Sequence, residues 1–230
     1  MSENPEKAGV STFKLVLVPV VISLAVTVLR LTGELSGWSE TWFSTATGGL
    51  LPEGTTWLVG ITWLALPFGF YFGWRLSAAG KSPLSTKRAL GFALAGLTLA
   101  LVYFFWLARI FSFGFPLRLL SSWSVMTIAA GLQWLAWPAL FKALLAYGLA
   151  SRIPVVIVMF LAMLGSWGTH YDYADWPQLD MPFWPRFLWL AFFPQLVFWV
   201  AFTILVGSLA GCVAAALRRY VAQKGVIAIG

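Results

Sequence analysis

The chain divides into apolar runs of bilayer length, separated by short charged or Pro- and Trp-rich breaks. A hydrocarbon layer about 30 Å thick takes roughly 20 apolar residues of helix to cross, and about six stretches qualify. Lipid offers no partner to backbone N–H and C=O groups, so these segments must close their hydrogen bonds internally. They are also too uniformly apolar for the alternating strands of a barrel. The expected fold is therefore an all-α polytopic transmembrane helical bundle of about six spans, both termini cytoplasmic. Residues 1–230 form one domain, with a short polar segment 1–12 and a basic tail 218–230.

Composition narrows the function classes. At 60% hydrophobic and 10% charged residues, with a mean hydropathy of +0.84, no soluble fold hides this much apolar surface. Six spans leave no room for a soluble catalytic domain. The net charge of +7 reads as lysines and arginines held at the cytoplasmic face, not as a nucleic-acid surface. Cys212 is the only cysteine, which excludes an intrachain disulfide and a Cys-rich metal or iron–sulfur site built by one chain. The run from Leu15 onward reads as an uncleaved first span.

The spans are expected from about Phe13 to Leu31, Thr56 to Leu76, Ala89 to Phe111 and Leu119 to Ala150. Pro154 then restarts the chain as a fifth span ending near Trp167, and the sixth runs from Phe187 to just before Arg218. With the N-terminus inside, eleven lysines and arginines fall on the cytoplasmic side, Lys142 and Arg152 among them. Four (Arg30, Arg109, Arg118 and Arg186) fall outside, which is the bias of the positive-inside rule. Most tryptophans then lie near the outer face, as an interfacial anchoring belt or as an aromatic surface for a lipid, quinone or pigment.

Gly69 with Gly73, and Gly207 with Gly211, form two small-xxx-small pairs, for packing inside the bundle or for self-association. Pro19, Pro67, Pro138 and Pro194 are expected to kink their spans. No internal repeat is visible, which weakens an inverted-repeat transporter.

Two clusters are candidates for chemistry. Arg30 and Glu34 are one helical turn apart at the outer end of the first span, with Arg109 at similar depth on the third. They form either a functional charged cluster or helix-end side chains that reach the headgroups. The second candidate is the outer loop holding His170, Asp172 and Asp175. A histidine among carboxylates suits a base or a divalent ion, yet His170 is the only histidine, so bis-His haem and multi-His zinc sites within one chain are excluded. A structural loop, with His170 and its acids bonded to backbone or to Arg30 and Arg109, is the alternative. No catalytic residue, metal or cofactor is assigned.

The strings Ala146-Tyr147-Gly148, Arg152-Ile153-Pro154-Val155 and Trp167-Gly168-Thr169-His170-Tyr171-Asp172 resemble those of a family of uncharacterised bacterial polytopic membrane proteins. Leu29-Arg30 and Gly33-Glu34-Leu35 resemble the same group. The resemblance implies a bacterial inner-membrane location and carries over no chemistry. The leading expectation is a non-enzymatic assembly or accessory subunit whose partners are membrane lipids and a membrane protein or a second copy, with no nucleic acid. A small-solute transporter or channel using the outer charged cluster is the alternative. A membrane-surface lipid enzyme using His170 as base, with Asp172 or Asp175 orienting it or binding a metal, is the third.

Overall fold

The computed structural model describes residues 11–45, 56–111, 113–172 and 181–227. Every regular element among them is helical. Five helices are long and apolar enough to cross a membrane: α1 (Thr12–Leu35), α3 (Thr86–Ile110), α4 (Leu117–Ala136), α5 (Pro138–Gly165) and α6 (Phe183–Lys224). A shorter helix, α2 (Ala65–Ala78), lies between α1 and α3.

The stretch expected as a second continuous span is instead broken. Thr56–Val59 and Thr62–Leu64 are 3-10 turns, and only then does the 14-residue α2 begin. The β-branched Thr62 and Ile61 and the intervening Gly60 lower helix propensity. Pro67 falls in the first turn of α2, where its missing N–H costs nothing. At 1.5 Å per residue the 14-residue α2 is about 21 Å long, short of the roughly 30 Å hydrocarbon layer. Its C-terminal end closes on Gly80, whose φ of +73° favours glycine, with Lys81 N–H donating to the Leu76 carbonyl over 2.9 Å.

The boundary between the fourth and fifth spans also moves. Pro138 does not kink a helix; it opens one. Trp137, forced out of the α region by the following proline, sits at φ −148°, ψ 76°, and ends α4. Its indole Nε1 donates to the Lys81 carbonyl over 2.8 Å, so the end of α2 and the α4–α5 corner share one end of the bundle. Pro154, expected to start a span, lies inside the 28-residue α5. Membrane helices tolerate such a proline because neighbouring groups re-satisfy the freed carbonyl. Arg152 consequently sits near the middle of α5 and not at a cytoplasmic turn.

Packing follows small residues. A side chain at Gly69 would strike the Gly207 backbone, and one at Gly73 the Gly211 backbone, so α2 and α6 touch along their glycine faces. Ala89, Ala93, Gly96 and Ala100 make a second such face on α3, and a Cβ at Gly96 would lie 2.6 Å from the Ala129 carbonyl oxygen of α4. One core gathers Phe72, Trp137, Leu140, Leu144 and Tyr147. A second gathers Ile61, Leu64, Met159, Ala162, Tyr171 and Phe187. The first stretch of α6 is wound as π-helix at Leu188–Phe192 and Pro194–Phe198, and α3 carries another π stretch at Tyr103–Leu107.

Candidate functional site: a buried polar column

Arg30 and His170 converge on Glu34. Its carboxylate, buried at the end of α1, accepts Arg30 Nε over 2.8 Å. It also accepts the backbone N–H of His170 over 3.0 Å and His170 Nδ1 over 2.8 Å. An ionised carboxylate only accepts, so Nδ1 carries the proton and a neutral imidazole satisfies the bond. Burial, joined by the nearby Arg30 cation, lowers the His170 pKa against the opposing pull of Glu34 and Asp172.

Asp172 does not orient His170. The 3-10 turn His170–Asp172 folds its carboxylate back to accept Thr169 Oγ1 and Gly168 N–H, each at 2.7 Å. Glu34 holds the imidazole, and it does so from another helix. Arg109 is exposed at the end of α3. Asp175, like Glu53 and Asp180, lies outside the described residues.

The residue that sequence reasoning misplaced lies deeper. Arg152 is 5% exposed, about 20 Å from either end of α5. Its Nη1 donates to Gln195 Oε1 over 3.1 Å and its Nη2 to Thr62 Oγ1 over 3.2 Å. The guanidinium lies 5.0 Å from the centre of the Trp199 ring. Gln195 belongs to a π stretch and Thr62 to a 3-10 turn, so Arg152 is bonded by two interrupted segments of the chain. Interruptions of this kind recur at functional sites, and broken backbone at membrane depth is tolerated where protein or a water-filled cavity covers it.

A third polar group continues the line along the α1–α5 seam. Tyr147, 2% exposed and five residues before Arg152, bonds Ser23 Oγ at 2.8 Å. Ser23 Oγ in turn donates to the Pro19 carbonyl over 3.0 Å, so the tyrosine O–H is the donor between them. Tyr171, 4% exposed, follows His170 in the turn and packs into the second core with Met159, Ala162 and Phe187. Burial pushes its phenol well above the ordinary range. The ionisable and hydroxyl groups thus lie in three buried sets at successive levels along α5 and the turn that follows it.

The strings singled out in the sequence contain six members of these sets or their supports: Arg30, Glu34, Tyr147, Arg152, His170 and Asp172. Their common location was not readable from spacing, because they come from three separate segments. Among the described residues no three His, Cys, Asp or Glu side chains gather in a metal-binding group. No family model, curated protein or solved structure matches the chain.

Proposed function

We propose that this is a bacterial inner-membrane protein that binds and moves a small anionic solute, with Arg152 as the recognising charge at mid-depth. The observation that carries this reading is the buried guanidinium at the centre of α5, bonded by two interrupted segments. Ionisable residues at membrane depth are expensive and mark solute or ion pathways by default. Guanidinium matches carboxylate and phosphate oxygens and stays charged whatever its burial. An arriving anion binds this guanidinium, which Gln195 and Thr62 orient. The Arg30–Glu34–His170 cluster then forms the mouth of the path.

In this reading the 3-10 turns and α2 together make the sixth crossing, and both termini are cytoplasmic. With Arg152 moved to mid-depth the charge bias is still ten lysines and arginines against four. The test is charge movement in proteoliposomes on solid-supported membranes after jumps of chloride, phosphate and small carboxylates. An anion-dependent current is expected for the wild type. Arg152→Gln should reduce it at least about tenfold, the scale of losing a buried charge contact, and Arg152→Lys should retain part of it. Currents equal to those of empty liposomes for every anion, or an unaltered Arg152→Gln, would remove the reading.

The assembly-subunit reading draws on a different feature. Trp106 and Trp184 are 67% and 62% exposed near the Glu34 end, a surface that a membrane partner would cover. The glycine pairs that motivated a partner are occupied between α2 and α6 of the same chain. Mass measurement in mild detergent separates the two readings: a stoichiometric complex with a second copy or another protein favours assembly.

A further inference from the structure

Where the α2–α3 connection meets the C-terminal end of α6, a groove of about 390 Å³ opens on the surface. Ser85, Thr86 and Lys87 form one wall; Arg219, Tyr220 and Gln223 form the other. Lys87 and Arg219 are both exposed, and none of the lining residues is acidic. The described acids, Glu34, Glu40 and Asp172, belong to the opposite end of the bundle. The walls meet through Arg219, which donates to the Pro83 carbonyl and so fixes its own position against the connection. The Thr86 hydroxyl, beside the groove, is buried without a hydrogen-bond partner among the described residues.

Leu84, on the same wall, is 101% exposed, an apolar side chain fully presented beside a basic groove. It sits where the long apolar helices α3 and α6 reach their charged ends, the level at which a bilayer places its headgroups. Cations and hydroxyl donors beside a protruding leucine complement a ligand that is anionic at one end and apolar at the other.

We infer that this groove binds the headgroup of an anionic phospholipid. Lys87 and Arg219 hold the phosphodiester, Tyr220 and Gln223 supply further polar contacts, and Leu84 packs beside the acyl chains. The site is independent of the solute path around Arg152, and a failure of one leaves the other standing.

The test uses the full-length protein in neutral detergent, titrated with dioctanoyl phosphatidylglycerol and, in parallel, with dioctanoyl phosphatidylcholine and inorganic phosphate. Binding is read by thermal stabilisation. Phosphatidylglycerol should stabilise the wild type at concentrations where the other two do not. Each cation near a lipid surface is worth roughly a five-fold change in affinity. Lys87→Gln, an exposed site whose loss leaves the fold intact, should therefore weaken binding about five-fold, and adding Arg219→Gln should weaken it further. Equal stabilisation by phosphatidylcholine, or wild-type affinity in Lys87→Gln, overturns the proposal. Equal stabilisation by inorganic phosphate also overturns it, because the groove is then a free-anion site.

Discussion

Glu34 and His170, 136 residues apart in sequence, are joined twice: the histidine's backbone N–H and its ring Nδ1 both reach the same carboxylate. The contact pins the turn after α5 onto the end of α1. It also makes the imidazole a measurable reporter of the site. Its ring is 22% exposed, and it faces Arg30, Glu34, Tyr171 and Asp172.

Burial holds the His170 pKa below its ordinary value of 6.5, so the folded protein binds fewer protons there than the unfolded chain. Stability from this site is therefore fully present above about pH 6.5 and is lost as pH falls toward the folded value. Thermal unfolding in detergent should show a lower Tm at pH 5.5 than at pH 7.5. His170→Gln should flatten that slope. A slope identical in the two proteins would assign the pH dependence to other groups.

The α2–α6 contact predicts a steric asymmetry among glycines. Gly69→Ala drives a Cβ into the Gly207 backbone and should cost about 1–3 kcal/mol, the scale of overpacking. Gly91→Ala, with nothing within 4 Å, should be neutral or stabilise α3 by about 0.5–1 kcal/mol. Comparing the two Tm values with the wild type decides the matter; equal shifts would mean the helices are not in contact there.

Tyr147 and Ser23 should respond unequally to truncation. Tyr147→Phe leaves Ser23 Oγ bonded to the Pro19 carbonyl and should cost about 0.5–1.5 kcal/mol. Ser23→Ala strands a buried phenol hydroxyl and should cost about 1–3 kcal/mol. A larger loss from Tyr147→Phe would show that the hydrogen bond is not what holds this seam.

Cysteine labelling tests the path of the broken segment. On the proposed orientation, in a Cys212→Ala background, Ser36→Cys should react with an impermeant thiol reagent from outside the cell, and Ser82→Cys only after permeabilisation. The reverse pattern inverts the orientation. Reaction of both from one side would mean that the 3-10 turns and α2 together do not cross.

The sequence determined the solvent and the class of backbone. Apolar runs of this length must be helices in lipid, because hydrogen bonds have nowhere else to go. The Arg30–Glu34 pair was legible for the same reason: a spacing of four residues on one helix fixes proximity without reference to the rest of the fold. The glycine pairs were legible as close-contact faces, though their pairing with each other was not.

Tertiary structure decided the rest. Two prolines, Pro138 and Pro154, offered equivalent local signals for a helix break, and only packing chose between them. Trp137 leaves the helix where its indole finds the Lys81 carbonyl, whereas Pro154 stays helical inside the bundle. That choice moved Arg152 from a presumed turn to the middle of a span. Its partners Thr62 and Gln195 are 90 and 43 residues away, a relation no periodicity encodes. The His170–Glu34 contact is of the same kind. Local spacing carries information along one element, while a site built from several elements exists only once their packing brings them to the same depth.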